Sequence, residues 1–229
     1  MENIGVVLPY VRRSKNFVAE FFKRYKCDMF PVEEYGFNFI VVYDNQNCSR
    51  IFNKNKVQRI VILTDLELEC CDFEILNGDR VFKRMLPEFV RKTAKSYGGN
   101  CSVTLVDKNM SDDGMTIAER LCDMCSTIFI NTQNIAKAEM FCDRLLDKYG
   151  VIVEVINDKS VINTDLVVVL ESCGNNYGRN CVVIDKNCKK GNGRVINDFY
   201  IPFRTKPPFG MSNLVFAECL EAIKVVDIR

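Results

Sequence analysis

The chain of 229 residues contains no histidine. This absence excludes Ser-His-Asp and Cys-His nucleophile systems and every metal site built on imidazole. Any catalysis must therefore use carboxylate, lysine, tyrosine or cysteine side chains, or a bound metal. A zinc site would need four thiolates, and the sequence has a single C-x-x-C pair, Cys122 and Cys125.

The sequence also lacks a large net charge, a long apolar run and a secretory signal. Its formal net charge is +1, which gives no bulk attraction to nucleic acid or anionic membrane, so a nucleic-acid role would need a local basic patch. No segment approaches the roughly 18 apolar residues of a membrane span. The opening Met1–Arg13 has the wrong order and length for a signal peptide. We expect a cytoplasmic protein with no nucleic-acid or membrane partner.

Twelve cysteines are present, and most lie inside apolar periodic segments. Without a secretory signal they indicate reduced core thiols rather than a disulfide framework. The cysteine pairs to test for a redox or metal-binding role are Cys70-Cys71 and the C-x-x-C pair. Cys122 and Cys125 fall near the end of a predicted helix, where the helix dipole raises a thiol pKa. We therefore predict structural thiols and no metal site.

Residues 1–78 have the pattern of a small α/β domain. Short runs rich in apolar and β-branched residues predict strands at Ile4–Leu8, Phe37–Tyr43 and Arg59–Leu63. Ser14 is suited to cap a helix after the first strand. A connecting segment, residues 79–100, contains a predicted helix at Val81–Tyr97.

From Cys101 onward, apolar β-branched runs alternate with helix-sized amphipathic segments. Strands are predicted at Ser102–Val106, Thr127–Asn131, Val151–Ile156, Asp165–Leu170, Cys181–Ile184 and Phe199–Ile201, and helices at Gly114–Cys125, Ile135–Tyr149 and Ser212–Lys224. This alternation favours parallel strands with helices covering both faces. The predicted fold class is α/β: a small N-terminal α/β unit, then a Rossmann-like domain over residues 101–229 with a mainly parallel sheet.

Several short motifs accompany these elements. The second strand of the domain ends in Asn131-Thr132, and Lys137-Ala138-Glu139 opens the next helix; Thr164–Val168 and Val183–Asp185 follow as apolar strands. In these motifs the chain resembles the NAD(P)-binding domain of the shikimate dehydrogenase and glutamyl-tRNA reductase group. The resemblance implies a Rossmann-like fold and NAD(P) as cofactor.

The turn after the first strand of this domain departs from the family pattern. A dinucleotide-binding turn reads G-x-G-x-x-G, so that the backbone approaches the pyrophosphate at a helix N-terminus. Here Asp107–Gly114 reads DKNMSDDG, with one glycine and three carboxylates. At an effective dielectric constant near 20, like charges about 4 Å apart repel by roughly 4 kcal/mol. We expect no cofactor, although helix capping by Asp112 and Asp113 and a cation- or amine-binding role both stay open.

In an open α/β sheet, ligands gather at the carboxyl ends of the strands. The side chains expected there, and therefore our candidate ligand-binding residues, are Asp107, Asn109, Gly114, Asn131, Thr132, Glu171 and Ser172. Gln133, Asn157, Asp185 and Lys186 also follow strands. Such rims are polar in any fold of this kind, so a purely structural role is an alternative.

These observations favour a non-catalytic or divergent Rossmann-like protein that binds a small ligand or a protein partner. The alternative is an NAD(P)-dependent oxidoreductase of the shikimate-dehydrogenase-like type with an altered cofactor loop. A third class is a metal-dependent hydrolase that uses Asp107, Asp112 and Asp185. The Asp65–Glu67 segment is a poor match to a phosphatase loop, and the basic turn from Lys186 to Arg194 is expected to be solvated surface.

Overall fold

The computed structural model describes residues 2–10, 27–44, 46–64, 73–97, 101–125, 127–156, 161–173, 176–188 and 194–223. Its internal contacts divide the chain into two units, Met1–Val81 with Tyr200–Arg229 and Phe82–Phe199. Each unit contains its own β-sheet, and the predicted α/β class is confirmed. Among the described helices, none combines the length and apolar character needed to cross a membrane.

The first unit has a five-stranded sheet in the order β2-β3-β1-β4-β5. Its strands are β1 (Asn3–Leu8), β2 (Asp28–Val32), β3 (Phe37–Tyr43), β4 (Arg59–Ile62) and β5 (Glu74–Ile75). The central strand β1 runs parallel to β3 and to β4, whereas β2 pairs with β3 in the antiparallel direction. The three strands predicted from hydrophobic runs are the three central ones.

Helices cover both faces of this sheet. On one face, Val7, Ile40 and Val42 pack with the helix α1 (Cys48–Lys54). On the other, Ile4, Val6, Phe37 and Phe39 pack with Phe216, Cys219 and Leu220 of the last helix, whose bounds are Asn213–Ala222. We had expected that helix to cover the C-terminal sheet. Its side chains are buried almost all round, which the sequence pattern shows, but such a pattern does not say which sheet buries them.

One carboxylate lies in this otherwise apolar helix. Glu218 is buried, and its Oε2 accepts a hydrogen bond from the backbone N–H of Gly78 at 2.6 Å. Arg80 Nε lies 3.7 Å from its other oxygen. Gly78 has φ +85, a backbone conformation that favours glycine, so the predicted Asn77-Gly78 turn is fixed by this buried acceptor.

The sequence patterns missed β2, the two-residue strand β5 and α1. The strand β2 contains Pro31 and exposes four of its five side chains, so it lacks the buried alternation of a predictable strand. The helix α1 has seven residues, too few to establish a helical period. The predicted helix after Ser14 and the Asp65–Glu67 segment lie outside the described residues.

The second unit has a six-stranded sheet, parallel throughout, in the order β11-β10-β9-β6-β7-β8. Its strands are β6 (Ser102–Asp107), β7 (Thr127–Asn131), β8 (Val153–Ile156), β9 (Leu166–Glu171), β10 (Val182–Ile184) and β11 (Arg194–Ile196). Counted within the unit, this is the strand order 3-2-1-4-5-6 of the doubly wound dinucleotide-binding fold. The chain reverses direction across the sheet between β6 and β9, which is the topological switch point.

Three further helices belong with this part of the chain. They are α2 (Asp79–Ser96), α3 (Asp112–Leu121) and α4 (Ile135–Tyr149), and the last helix is accordingly α5. The bounds of β7 and α4 are those predicted from the sequence. Asn134 caps the start of α4 by accepting a hydrogen bond from Lys137 N–H, and Gly150 ends it with φ +67. Pro87 lies inside α2 without ending it.

The predicted strand at Phe199–Ile201 is wrong. The described strand nearest to it is β11, and residues 199–201 have no regular structure. Phe199 is buried because its ring stacks on those of Phe82 and Phe89, with centroids 5.3 and 4.3 Å apart. An apolar run that packs as a loop has the same composition as a short strand.

The start of β9 is joined to the start of β6 by Asp165. Its Oδ2 accepts hydrogen bonds from Ser102 N–H at 2.9 Å and from Ser102 Oγ at 2.7 Å. The backbone and side-chain hydrogen bonds from Ser102 lower the pKa of this carboxyl below its ordinary 3.8. The stabilisation is therefore complete above that ordinary value and is lost as pH falls through the lower, folded-state pKa.

We predict that Asp165→Asn lowers the free energy of unfolding by about 1 kcal/mol at pH 7, because a charged acceptor is replaced by a neutral one. The difference from the unsubstituted protein should shrink as the pH falls below 3.8. Urea denaturation at a series of pH values measures it. A difference that stays constant down to pH 2 would contradict this linkage.

Candidate functional site

The switch point between β6 and β9 is the natural ligand site in this fold. The carboxyl end of β6 is Asp107, and that of β9 is Glu171. Their side chains and the loop from Asp107 to Ser111 decide what is able to enter there.

Asp107 is buried, with 1% of its surface exposed. Its Oδ2 accepts hydrogen bonds from Ser111 N–H at 2.9 Å and from Ser111 Oγ at 2.6 Å, and its Oδ1 accepts one from Asn109 N–H at 3.3 Å. Ser111 is in turn the N-cap of α3, since its Oγ accepts from Gly114 N–H at 3.0 Å. A carboxylate of the chain itself thus occupies the positive end of α3, which favours anions.

Gly114 is the one glycine that the altered turn retains. A Cβ added at this position would overlap the carboxylate of Asp107. Gly114 lies inside α3 and has an ordinary helical backbone, so no special φ requires it. The glycine is needed because the buried carboxylate passes directly against the first turn of the helix.

The loop also contacts the ends of the two neighbouring strands. Asn109 Nδ2 donates a hydrogen bond to Glu171 Oε2 at 2.8 Å, and Lys108 N–H donates to the carbonyl of Glu171 at 3.3 Å. On the other side, the carbonyl of Lys108 accepts from Gln133 N–H and from Thr132 Oγ1, both at 3.0 Å. The loop therefore bridges the ends of β9, β6 and β7 at the switch point.

Met110 completes this loop in an unusual backbone conformation. Its φ is +51, in the left-handed region, and its side chain is completely buried. For a residue other than glycine this conformation costs about 1–2 kcal/mol. Burial of the thioether side chain offsets that cost, at roughly 1.5–3 kcal/mol for a fully buried apolar side chain. The loop thus has apolar packing where a dinucleotide-binding loop has bare backbone.

The structure brings most of the predicted site residues together. Asp107, Asn109, Gly114, Thr132 and Glu171 meet through the contacts above. Asn131 is fully buried at the end of β7, where its carbonyl accepts from the Cys173 thiol at 3.9 Å, while Ser172 is exposed just after β9. The predicted rim residue Asn157 lies outside the described residues.

Sequence reasoning named Asp185 but missed Tyr177, Cys173 and Cys188 on the β9 and β10 side of the sheet. Tyr177 is half-buried, and burial raises its pKa to about 12, with the Asp185 carboxylate and the thiols of Cys188 and Cys173 adding to the effect. The phenol therefore stays protonated at neutral pH. The positions of these residues along the chain are the sequence signal that points to this group, since Cys173 and Asp185 each follow the end of a strand.

The three carboxylates of the hydrolase hypothesis are each engaged locally. Asp107 is bound to Ser111, Asp112 lies 3.7 Å from Lys137 Nζ, and Asp185 accepts from Asn187 N–H at 2.8 Å in its own turn. Within the described residues, no group of three or more acidic or thiol side chains is arranged to hold a metal ion. The geometry gives this hypothesis no support.

The cysteines of the described residues are free thiols. Burial raises the pKa of Cys101 to about 11 and that of Cys125 to about 12, and it also raises the pKa of Cys122. The Cys122 thiol donates a hydrogen bond to the carbonyl of Ala118 at 3.4 Å, within its own helix. A redox or metal-binding thiol needs a lowered pKa, so this C-x-x-C pair has the properties of core packing. Cys70 and Cys71 lie outside the described residues.

We predict that Gly114→Ala destabilises the protein by about 1–3 kcal/mol, because its Cβ overlaps the Asp107 carboxylate. The sign is informative, since glycine to alanine inside a helix ordinarily stabilises by about 1 kcal/mol. Urea denaturation measures the change. Thr116→Ala, exposed on the same helix, is the matched control and should change stability by less than about 0.5 kcal/mol. A stabilised Gly114→Ala protein would contradict the geometry of Asp107.

We also predict that the C-x-x-C pair reacts slowly with alkylating reagents. A pKa raised from 9.0 to about 12 lowers the thiolate fraction of Cys125 at pH 7.5 by about a thousandfold. Iodoacetamide labelling followed by peptide mass spectrometry gives the rate for each cysteine. Labelling of the urea-unfolded chain is the control, and equal rates for Cys125 in both states would refute the prediction.

No protein-family model matches this chain, and no curated protein sequence is similar to it. Solved structures do match. One is quinate dehydrogenase from Corynebacterium glutamicum in complex with NAD, with a TM-score of 0.34, 10% identity and coverage of 81% of this chain and 79% of that chain. Another is L-tryptophan dehydrogenase from Nostoc punctiforme, with a TM-score of 0.35, 8% identity and coverage of 86% and 63%.

Both matched proteins are dehydrogenases, as is the group that the sequence motifs resemble. The chain spans less than two thirds of the length of the tryptophan dehydrogenase. The all-parallel sheet and its strand order show the Rossmann-like fold of the second unit.

Proposed function

We propose that this is a non-catalytic Rossmann-like protein that acts by binding a small ligand or a protein partner, and that its switch point does not take a dinucleotide. The observation that carries the proposal is the buried Asp107 carboxylate at the first turn of α3. In dinucleotide-binding domains this helix end receives the pyrophosphate.

A bound pyrophosphate would have to share the end of α3 with Asp107 or displace it. Sharing places like charges about 4 Å apart, at a cost of roughly 4 kcal/mol before screening. Displacement removes the hydrogen bonds from Ser111 and Asn109, and each buried group left unpaired costs about 1–3 kcal/mol. Either cost would reduce the affinity of an ordinary cofactor site by a factor of a hundred or more.

The chemistry of the rim supports the non-catalytic part of the proposal. A general acid or base works best with a pKa near the working pH. The chain has no histidine, and the pKa of Tyr177 on the rim is raised to about 12. The rim instead offers hydrogen-bonding groups, which suit binding.

The proposal is tested by titrating the protein with NADH and NADPH, with nucleotide fluorescence and thermal unfolding as the two measurements. We expect neither nucleotide to bind at concentrations up to about 1 mM. A ligand at 100 times its dissociation constant would stabilise the protein by about 2.7 kcal/mol, so a tight site would be obvious. Micromolar binding would favour the oxidoreductase alternative instead.

A loop variant provides the matched control. Asn109→Gly with Ser111→Gly places glycines at the G-x-G-x-x-G spacing that ends at Gly114, and Asp107→Asn removes the buried charge while keeping its shape. We expect the triple variant to gain affinity for NADH over the unsubstituted protein. If binding is equal in both, the Asp107 loop is not what excludes the dinucleotide.

A further inference from the structure

The exposed side of α2 is strongly basic. From residue 82 onward it carries five cationic side chains and one carboxylate; the cations are Lys83, Arg84, Arg91, Lys92 and Lys95. The side chains of Arg91 and Lys92 are 43% and 71% exposed. The carboxylate, Glu88, accepts hydrogen bonds from two nitrogens of Arg91 and lies 3.8 Å from Lys92 Nζ. Lys83 forms an ion pair with Asp113 of α3 at 2.6 Å. These two carboxylates neutralise part of the charge, and the surface keeps an excess of three cations.

Three of the cations are spaced along one side of the helix, with Lys83 and Lys92 flanking them. Arg84, Arg91 and Lys95 are separated by seven and four residues, which returns each to the same side of a helix with 3.6 residues per turn. At 1.5 Å per residue the row is about 16 Å long. A row of this length is able to contact several consecutive phosphates of one strand.

The basic row ends beside an aromatic ring. Tyr97, the residue after α2, is 39% exposed. Partial burial raises the pKa of its phenol, the Asp165 carboxylate adds to that rise, and the Arg194 guanidinium opposes it. Arg194 is the first residue of β11.

Arg194, at the end of the basic turn, and the segment that follows α2 lie at the same edge of the six-stranded sheet. Arg194 and Ser102 both begin strands of a parallel sheet, so they lie at its amino edge. The rim around Asp107 is at the opposite, carboxyl edge. The near-neutral net charge of the chain argued against a nucleic-acid partner unless a local patch existed, and α2 with Arg194 is such a patch.

We propose that α2, Tyr97 and Arg194 form a binding surface for single-stranded nucleic acid. The cations contact successive phosphates, and the exposed ring of Tyr97 stacks on an unpaired base, as sequence-tolerant single-strand binders do. A membrane surface fits less well. The large apolar side chains of α2, such as Phe82, Leu86 and Val90, are buried and leave no apolar face to enter lipid.

The test is fluorescence anisotropy of the full chain with a fluorescein-labelled oligo(dT) of 20 nucleotides. In 50 mM KCl we expect a dissociation constant on the order of 10 μM, typical of non-specific binding. With four phosphates neutralised, the salt dependence of single-strand binding predicts about 50-fold weaker affinity in 200 mM KCl. Absence of binding at 100 μM protein in 50 mM KCl would overturn the proposal.

The variants separate this surface from general charge effects. Lys92→Glu with Lys95→Glu should weaken binding at least tenfold, whereas Lys54→Glu with Lys206→Glu changes the net charge equally on exposed residues elsewhere and should weaken it less than threefold. Tyr97→Leu should weaken binding about tenfold, and Tyr97→Phe, which keeps the ring, should bind normally. If the two charge-reversal pairs lose the same amount of affinity, the proposal that α2 forms the binding surface is wrong.

Two further probes decide the class of partner. We expect a 20-base-pair duplex to bind no more tightly than the single strand and to be insensitive to Tyr97→Leu. Vesicles of phosphatidylserine and phosphatidylcholine should bind equally well to the unsubstituted protein and to the Lys92→Glu, Lys95→Glu variant. If vesicle binding depends on these lysines and the oligonucleotide does not bind, the partner is a membrane surface and the nucleic-acid proposal is wrong.

The NADH titration tests the opposite edge of the sheet. Either proposal is therefore able to fail without the other.

Discussion

Two hydrogen bonds from Ser111 hold the buried carboxylate of Asp107 at the first turn of α3. The rest of the rim depends on them. They set the direction in which the loop leaves β6, so that Lys108 reaches the ends of both β7 and β9 and Asn109 reaches Glu171. They also give the Asp107 carboxylate hydrogen-bond donors, without which burying its charge would be costly. A helix end that binds external anions in other folds of this kind here stabilises the fold itself.

The parallel sheet and most of its bounds were predictable because its strands are apolar on both faces and are separated by amphipathic helices. The strand β7 and helix α4 have sharp boundaries in the sequence, given by Asn134 and Gly150. The placement of α5 was not predictable, because a helix buried on nearly all sides carries no mark of its partner sheet. The strand predicted at Phe199–Ile201 failed for a similar reason, since the same apolar and aromatic residue types occur in strands and in loops that pack by ring stacking.

For the site, the sequence indicated that the loop was acidic but not how the charge is arranged. Asp112 and Asp113 lie at the start of α3 as its dipole favours, and both are exposed. Asp107 differs from them because it is the last residue of a buried strand and turns inward. Residue type alone does not distinguish a solvated carboxylate from a buried one. The Tyr177 group was missed for a related reason, because nothing in the sequence between β9 and β10 shows which of its side chains are partly buried together.

The contact between Asp107 and Gly114 also constrains which substitutions this loop tolerates. Any side chain at position 114 would overlap the carboxylate, so the glycine is required for as long as position 107 holds a buried acid. Dinucleotide-binding turns also have a glycine in the first turn of the helix, where it allows close helix–strand packing. In this chain the buried carboxylate accounts for the glycine, so the presence of Gly114 is no sign of a bound cofactor.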